Sequence, residues 1–152
     1  SVVAALVVAV LAMLIAARSL WRGTTRAFAQ DAAARNLALT GLATGHYEAL
    51  DTPWFKTAFT QPLGHCEGPD HLERIDLLIR LRGEIASTAP EHLQSIYRSL
   101  VKQAEDVRQV VATFGRHPHR NEILGRQSMP AEQEYLGKGD FPHLRAFQPE
   151  RL

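Results

Sequence analysis

Apolar residues recur at helical spacing through most of the chain, and no run of strict alternation bounded by hairpin turns interrupts them. The clearest pattern starts near Glu91. Leu93, Tyr97, Leu100, Ala104, Val107, Val111 and Phe114 alternate by four and three, the spacing of a seam packed on a neighbouring helix. Gly115 follows as a left-handed cap. Upstream, Asp70 predicts the start of a helix with Leu72, Ile75, Leu78 and Ile79 on one face, and Thr88-Ala89-Pro90 its end. Asp76 and Arg80 are expected to pair on its exposed side. Earlier, Thr24 or Thr25 caps a helix bearing Phe28, Ala32, Leu39 and Ala43, weakened at Gly41 and ended at Gly45.

Between these lies a punctuated stretch, HYEALDTPWFKTAFTQPLGHCEGPD. Thr52 and Pro53 suit the cap and first position of a short helix carrying Trp54, Phe55 and Phe59. Pro62, Gly64, Gly68 and Pro69 predict that nothing long follows. A last short helix is expected from Ser128, with Pro130 in its first turn, to Leu136 before Gly137. The pattern predicts one all-α domain over residues 1–136. The tail 137–152, with Phe141, Leu144 and Phe147, has enough apolar surface to dock on that domain but not to fold alone. No internal repeat of solenoid length is present.

The chain opens with seventeen uncharged residues, SVVAALVVAVLAMLIAA, followed by Arg18, Arg22 and Arg26. A signal peptide carries its positive charge before such a run, not after it. A membrane span of minimal length with a basic cytoplasmic flank is one alternative. The abundance of alanine favours a helix over 2–17 buried among other helices.

Composition narrows the classes. At 152 residues, 45% hydrophobic and 22% charged, the chain is an ordinary globular domain. A net charge of +1 excludes a general nucleic-acid field, so any attraction for anions must be local. Cys66 is the single cysteine, which excludes an intrachain disulfide and the spacings of zinc fingers and haem attachment. A lone cysteine fits a reducing, cytoplasmic setting, with an organelle or membrane association as alternatives. Trp21, Trp54, Phe55 and Phe59 read as core or groove wall rather than a base-stacking platform.

Candidate chemistry gathers in FGRHPHRNEILGRQSMP, Phe114 to Pro130. In a purely structural reading, Arg116, His117 and His119 satisfy the terminal carbonyls of the helix that ends at Gly115, and Asn121 makes a turn or local cap. In a functional reading, Arg116, His119, Arg120 and Asn121 line an anion pocket, joined by Arg22 and by His65 from the middle loop. His65 and Glu67 are two apart, so in an extended loop both face one way, and a carboxylate beside an imidazole prepares a general base. Glu67 has a plainer alternative, an ion pair with Arg74 or a neighbouring helix. His65, Cys66, Glu67 and His71 form a tempting ligand cluster, with His117 and His119 nearby. Residues 65 and 66 point apart, however, so neither a metal nor another cofactor is expected. Cys66 itself reads as a small buried hydrophobe.

Three blocks, WRGTTRAFAQDAAARNLAL, QPLGHCEGPDHLERIDLL and FGRHPHRNEILGRQSMPAE, resemble the bacterial DUF924 family, in order from about Leu6 to Leu136. The most specific residues are Phe114-Gly115-Arg116, Pro118-His119-Arg120-Asn121 and Ile123-Leu124-Gly125-Arg126. The resemblance implies a tetratricopeptide-like antiparallel helical array of unknown function. The chain departs from the family pattern at Leu14, Ile15, Ser19, Cys66 and Val107, where polar or different residues are expected. The family's leading segment is expected upstream of Ser1.

These readings lead to a binding or assembly module, packed against a protein partner or a second copy through the apolar helix 2–17. The alternative is an enzyme or small-ligand protein acting on an anionic metabolite, with Arg22, Arg116 and Arg120 holding the anion and His65 with Glu67 moving a proton. It requires His65 and His119 to share one cleft. A single-span membrane protein is the third reading.

Overall fold

The computed structural model describes residues 24–145, with side chains from residue 29. The apolar run 2–17, Trp21, Arg22 and Phe147 therefore lie outside the described residues, as does the side chain of Phe28. The elements are α1 (Thr24–Ala43), α2 (Pro53–His65), α3 (His71–Thr88), α4 (Gln94–Phe114), α5 (Pro130–Lys138) and α6 (Pro142–Arg145). Single 3-10 turns lie at Glu91–Leu93 and Pro118–Arg120. Among the described residues there is no strand, so the domain is all-α. None of their helices is long and apolar enough to cross a membrane.

The seam predicted for α4 faces α3, and Tyr97, Leu100, Ala104 and Val111 are buried along it. Gly115 ends α4 with φ 71°, as a left-handed cap. Leu78 and Leu81 of α3 meet Phe59 and Leu63 of α2 and Ala38 of α1 in the main core, while Ile85, Ala86, Tyr97 and Leu100 form a second cluster towards the turn between α3 and α4. α1 comes unusually close to α2 because Gly41 faces the Phe59 ring, where a Cβ would lie 2.2 Å from Cζ. The tail turns back through α6 onto α4, where the Gln103 amide donates to the Pro142 carbonyl at 3.4 Å and Arg145 pairs with Asp106 at 3.3 Å.

Several local expectations change. α2 runs straight through Pro62 and Gly64. Proline removes one hydrogen bond to the preceding turn, but Phe59 and Leu63 on either side of it are fully buried, and their burial outweighs that loss. Thr52 and Asp70 stand at the N-caps of α2 and α3 without making the side-chain cap; Thr52 bonds to Asp51 and Asp70 to Arg74. Asp76 pairs with Arg108 across to α4, not with Arg80, which pairs with Glu84 one turn on. α5 passes Gly137 and stops at Gly139, the glycine with positive φ.

Candidate functional site

A helix end leaves carbonyls without donors, and α2 ends in the interior. Its last carbonyls are met from elsewhere in the chain. Gly64 O accepts from His71 Nε2 at 2.8 Å and from His117 Nε2 at 2.9 Å, so both rings carry their proton on Nε2. Arg74 Nη1 donates to Leu63 O at 2.7 Å, and Arg120 Nη1 to His65 O at 3.0 Å. Of the basic residues after Gly115, His117 and Arg120 thus serve the end of α2, and His117 does not serve the end of α4 that the structural reading assigned to it. A Cβ on Gly64 would lie 2.8 Å from Leu78, so the carbonyl that takes two imidazoles sits on a residue with no room for a side chain.

Around this cap, each arginine of the 116–126 segment meets a carboxylate. Arg120 Nη2 bonds to Asp31 Oδ2 at 2.6 Å, and both side chains are almost wholly buried. Arg126 pairs with Glu67, whose Oε1 also accepts the His117 backbone N–H at 2.9 Å. Burial alone would raise the Glu67 carboxyl, but these hydrogen bonds outweigh it and hold it below the usual range. Arg116 grips Glu132 with two bonds, at 2.6 and 2.7 Å. Glu132 also accepts from Met129 N at 2.8 Å and Asn121 Nδ2 at 3.1 Å, which closes the first turn of α5. The Arg116 guanidinium is the main reason the Glu132 carboxyl falls to about 2. Arg74 is engaged by Asp70 instead of Glu67. Cys66 is buried, and burial pushes its thiol up, away from reactivity.

In front of this bracket lies a cavity of about 400 Å³ between α2, α3, α4 and the C-terminal segment. His65 and His119 both line it, so the shared cleft that the small-ligand reading required is present. Arg116, Arg120, Asn121 and Glu67 do not line it. Leu78, Ala104, Val107, Val110 and Ile123 make much of the wall apolar. Neutral imidazoles make much of the remainder. Burial, then the Arg120 charge, brings His65 down to about 4; burial, then His143 and Arg120, brings His119 to about 4; burial brings His117 to about 3.

Among the described residues, Arg82 is the one permanent cation on this wall. It is buried, and among the described residues no carboxylate reaches it. Its partners are neutral: Leu100 O at 2.8 Å, Gln61 Oε1 at 2.8 Å and Gln103 Oε1 at 3.3 Å. Its Nε is buried with no acceptor among the described residues. Burial lowers it to about 10, so the guanidinium stays charged at neutral pH. Tyr135 lines the same space with a buried hydroxyl that also has no partner among the described residues.

Sequence reasoning passed over Arg82 and Asp31. Both had a signal: Arg82 falls on the stripe of Ile75, Leu78 and Ile85, and Asp31 on that of Ala34 and Ala38, where a charge violates the helical pattern. Among the described residues no three His, Cys, Asp or Glu side chains are arranged to hold a metal ion.

Neither the curated proteins nor the solved structures contain a match to the chain. The model of one family, bacterial proteins of unknown function (DUF924), matches residues 4–140. With the match covering nearly all of its length, the chain belongs to the DUF924 family.

Proposed function

We propose that the chain binds a small organic carboxylate with an apolar body in the cavity beside Arg82. The carrying observation is the buried guanidinium with neutral partners only. Burying a charge without a counter-charge costs several kcal/mol, by order of magnitude, and hydrogen bonds to amides and carbonyls do not cancel it. An anion entering the cavity supplies the missing charge and an acceptor for Nε. The apolar wall takes the rest of the ligand, and a volume of about 400 Å³ suits a metabolite of modest size. Arginines 116 and 120, the sequence-based candidates for the anion, are occupied by Glu132 and Asp31.

The test is a thermal-shift series with glutarate, hexanoate and inorganic phosphate on the wild type and on Arg82→Met. The carboxylates are expected to raise the wild-type midpoint and to leave the variant unchanged. A carboxylate whose effect survives the substitution places the anion elsewhere, and a response to phosphate alone overturns the ligand class.

A second reading, association with a protein partner or a second copy, is supported by the uncharged run 2–17. It expects self-association in sedimentation of the 152-residue chain, and a clean monomer at low concentration counts against it. The lone reduced cysteine supports a cytoplasmic setting.

A further inference from the structure

His65 stands between the cavity and a buried carboxylate. Its ring lines the cavity. His65 Nε2 lies 3.8 Å from Asp31 Oδ1, and both atoms are buried without a hydrogen-bond partner among the described residues. Asp31 is held in place through its other oxygen by Arg120. Closing this gap would bring Nε2–H onto Oδ1, fix the proton on Nε2 and leave Nδ1 with its lone pair to act on a bound ligand. A carboxylate behind an imidazole whose second nitrogen meets the ligand is the arrangement of a general base and its orienting acid.

The remaining wall narrows the chemistry. Among the described residues that line the cavity there is no Ser, Thr, Cys, Lys, Asp or Glu, and the imidazole of His65 is placed to act on water as a base. With Arg82 engaged by the substrate's carboxylate, Tyr135 O–H is a buried donor without an acceptor among the described residues, suited to charge that develops on an oxygen.

We propose that His65 is a general base, positioned by Asp31, for hydrolysis of an ester-type bond in a substrate that carries a carboxylate. The proposal rests on the carboxylate-binding reading above. His65 Nδ1 takes a proton from water, and the hydroxide oxygen bonds to the acyl carbon. The acyl C–O bond then breaks, and the alcohol or phenolate leaves with the bonding electron pair. The imidazolium returns its proton to the leaving oxygen or to solvent. No oxidant, reductant or further reactant is consumed. His65 is the catalytic residue; Asp31 is a positioning residue.

The experiment has three arms on the full chain. Long-range proton–nitrogen NMR of the wild type reads the His65 tautomer directly, and Nε2–H with a bare Nδ1 is expected; an Nδ1–H ring overturns the proposal. Hydrolysis of mono(4-nitrophenyl) glutarate, followed by nitrophenolate release, is expected in the wild type and is expected to fall at least a hundredfold in His65→Gln. Glutarate binding by thermal shift is expected to persist in His65→Gln. Glutarate that binds without ester turnover, or turnover that survives in His65→Gln, sinks the base and leaves the binding reading standing. Absence of glutarate binding in the wild type sinks both.

The wild-type rate is also expected to fall as pH drops towards 4, because protonation removes the Nδ1 lone pair. Burial sets most of this value; the charged and titratable groups that act on the ring are Arg120, Asp31, Glu67 and His71, and the His117 ring stacks on it. In Asp31→Asn, kcat is expected to drop with KM nearly unchanged and the tautomer to become mixed. Should that variant fail to fold, the wild-type tautomer and His65→Gln decide.

Discussion

The bracket behind α2 and the cavity in front of it use the same residue types to opposite ends. In the bracket, Arg116, Arg120 and Arg126 each close on a carboxylate; Glu67 and Glu132 spend further lone pairs on backbone N–H groups or an amide, while Asp31 keeps Oδ1 towards His65. In the cavity, Arg82 is just as buried as Arg120 but touches only neutral groups, and its Nε touches none. Residue type therefore says little here about role. Compensation separates the two: one buried charge is already neutralised by the protein, and the other is where the proposed ligand would supply the counter-charge.

The largest expected effect separates the two regions by pH. The cavity imidazoles, His65 and His119 at about 4 and His117 at about 3, lie below the ordinary 6.5. The unfolded chain takes up those protons first, so stability is lost as pH falls from 6.5 towards 4. At about 1.4 kcal/mol per unit for each group, three histidines remove several kcal/mol, of the order of a whole domain's stability. The bracket carboxylates respond later. Glu132, depressed to about 2, adds stability above 4.5 that is lost on the way down to 2. Acid unfolding followed by near-ultraviolet circular dichroism is expected to begin in the histidine window; a flat response from pH 7 to 4 would mean that the imidazoles are solvated. Next in size is Arg120→Met. It strands Asp31, whose side chain is 2% exposed, and is expected to cost about 3–5 kcal/mol in urea unfolding. Adding Asp31→Leu to it should recover much of the loss, because no unpaired charge then remains.

The helices were written in the hydrophobic spacing, and α4 most plainly, because its seam packs chiefly on α3. Ends were less readable. Pro62 and Gly137 look like terminators in one dimension, yet burial of Phe59 and Leu63 carries α2 through the first, and a better-placed glycine ends α5 after the second. The cluster after Gly115 was visible as a concentration of donors, but its acceptors were not. Gly64 O, His65 O, Glu67, Asp31 and Glu132 come from distant elements, and local sequence carries no measure of which helix end a loop will reach. His65 and His119 were found because both are polar residues in loops or helix ends. Arg82 was missed because it sits mid-helix between leucines and isoleucines, where attention goes to the stripe and not to the charge that breaks it.

The smallest expected effect is the sharpest for this comparison. Arg82→Met removes a buried guanidinium and fills its space with an apolar chain of similar length. The hydrogen bond it surrenders at Leu100 O goes to a carbonyl inside α4, where the helix offers its own donor, and Gln61 is exposed enough to turn to water. Loss of those bonds and relief of an uncompensated charge oppose each other, so the ligand-free variant is expected to fall within about 1 kcal/mol of the wild type in urea. Arg120→Met, a change of the same chemistry at a site equally buried, should differ from it several-fold. Equal losses at the two positions would mean that three neutral oxygens hold a guanidinium as firmly as Asp31 does, and the distinction between bracket and cavity would go with it.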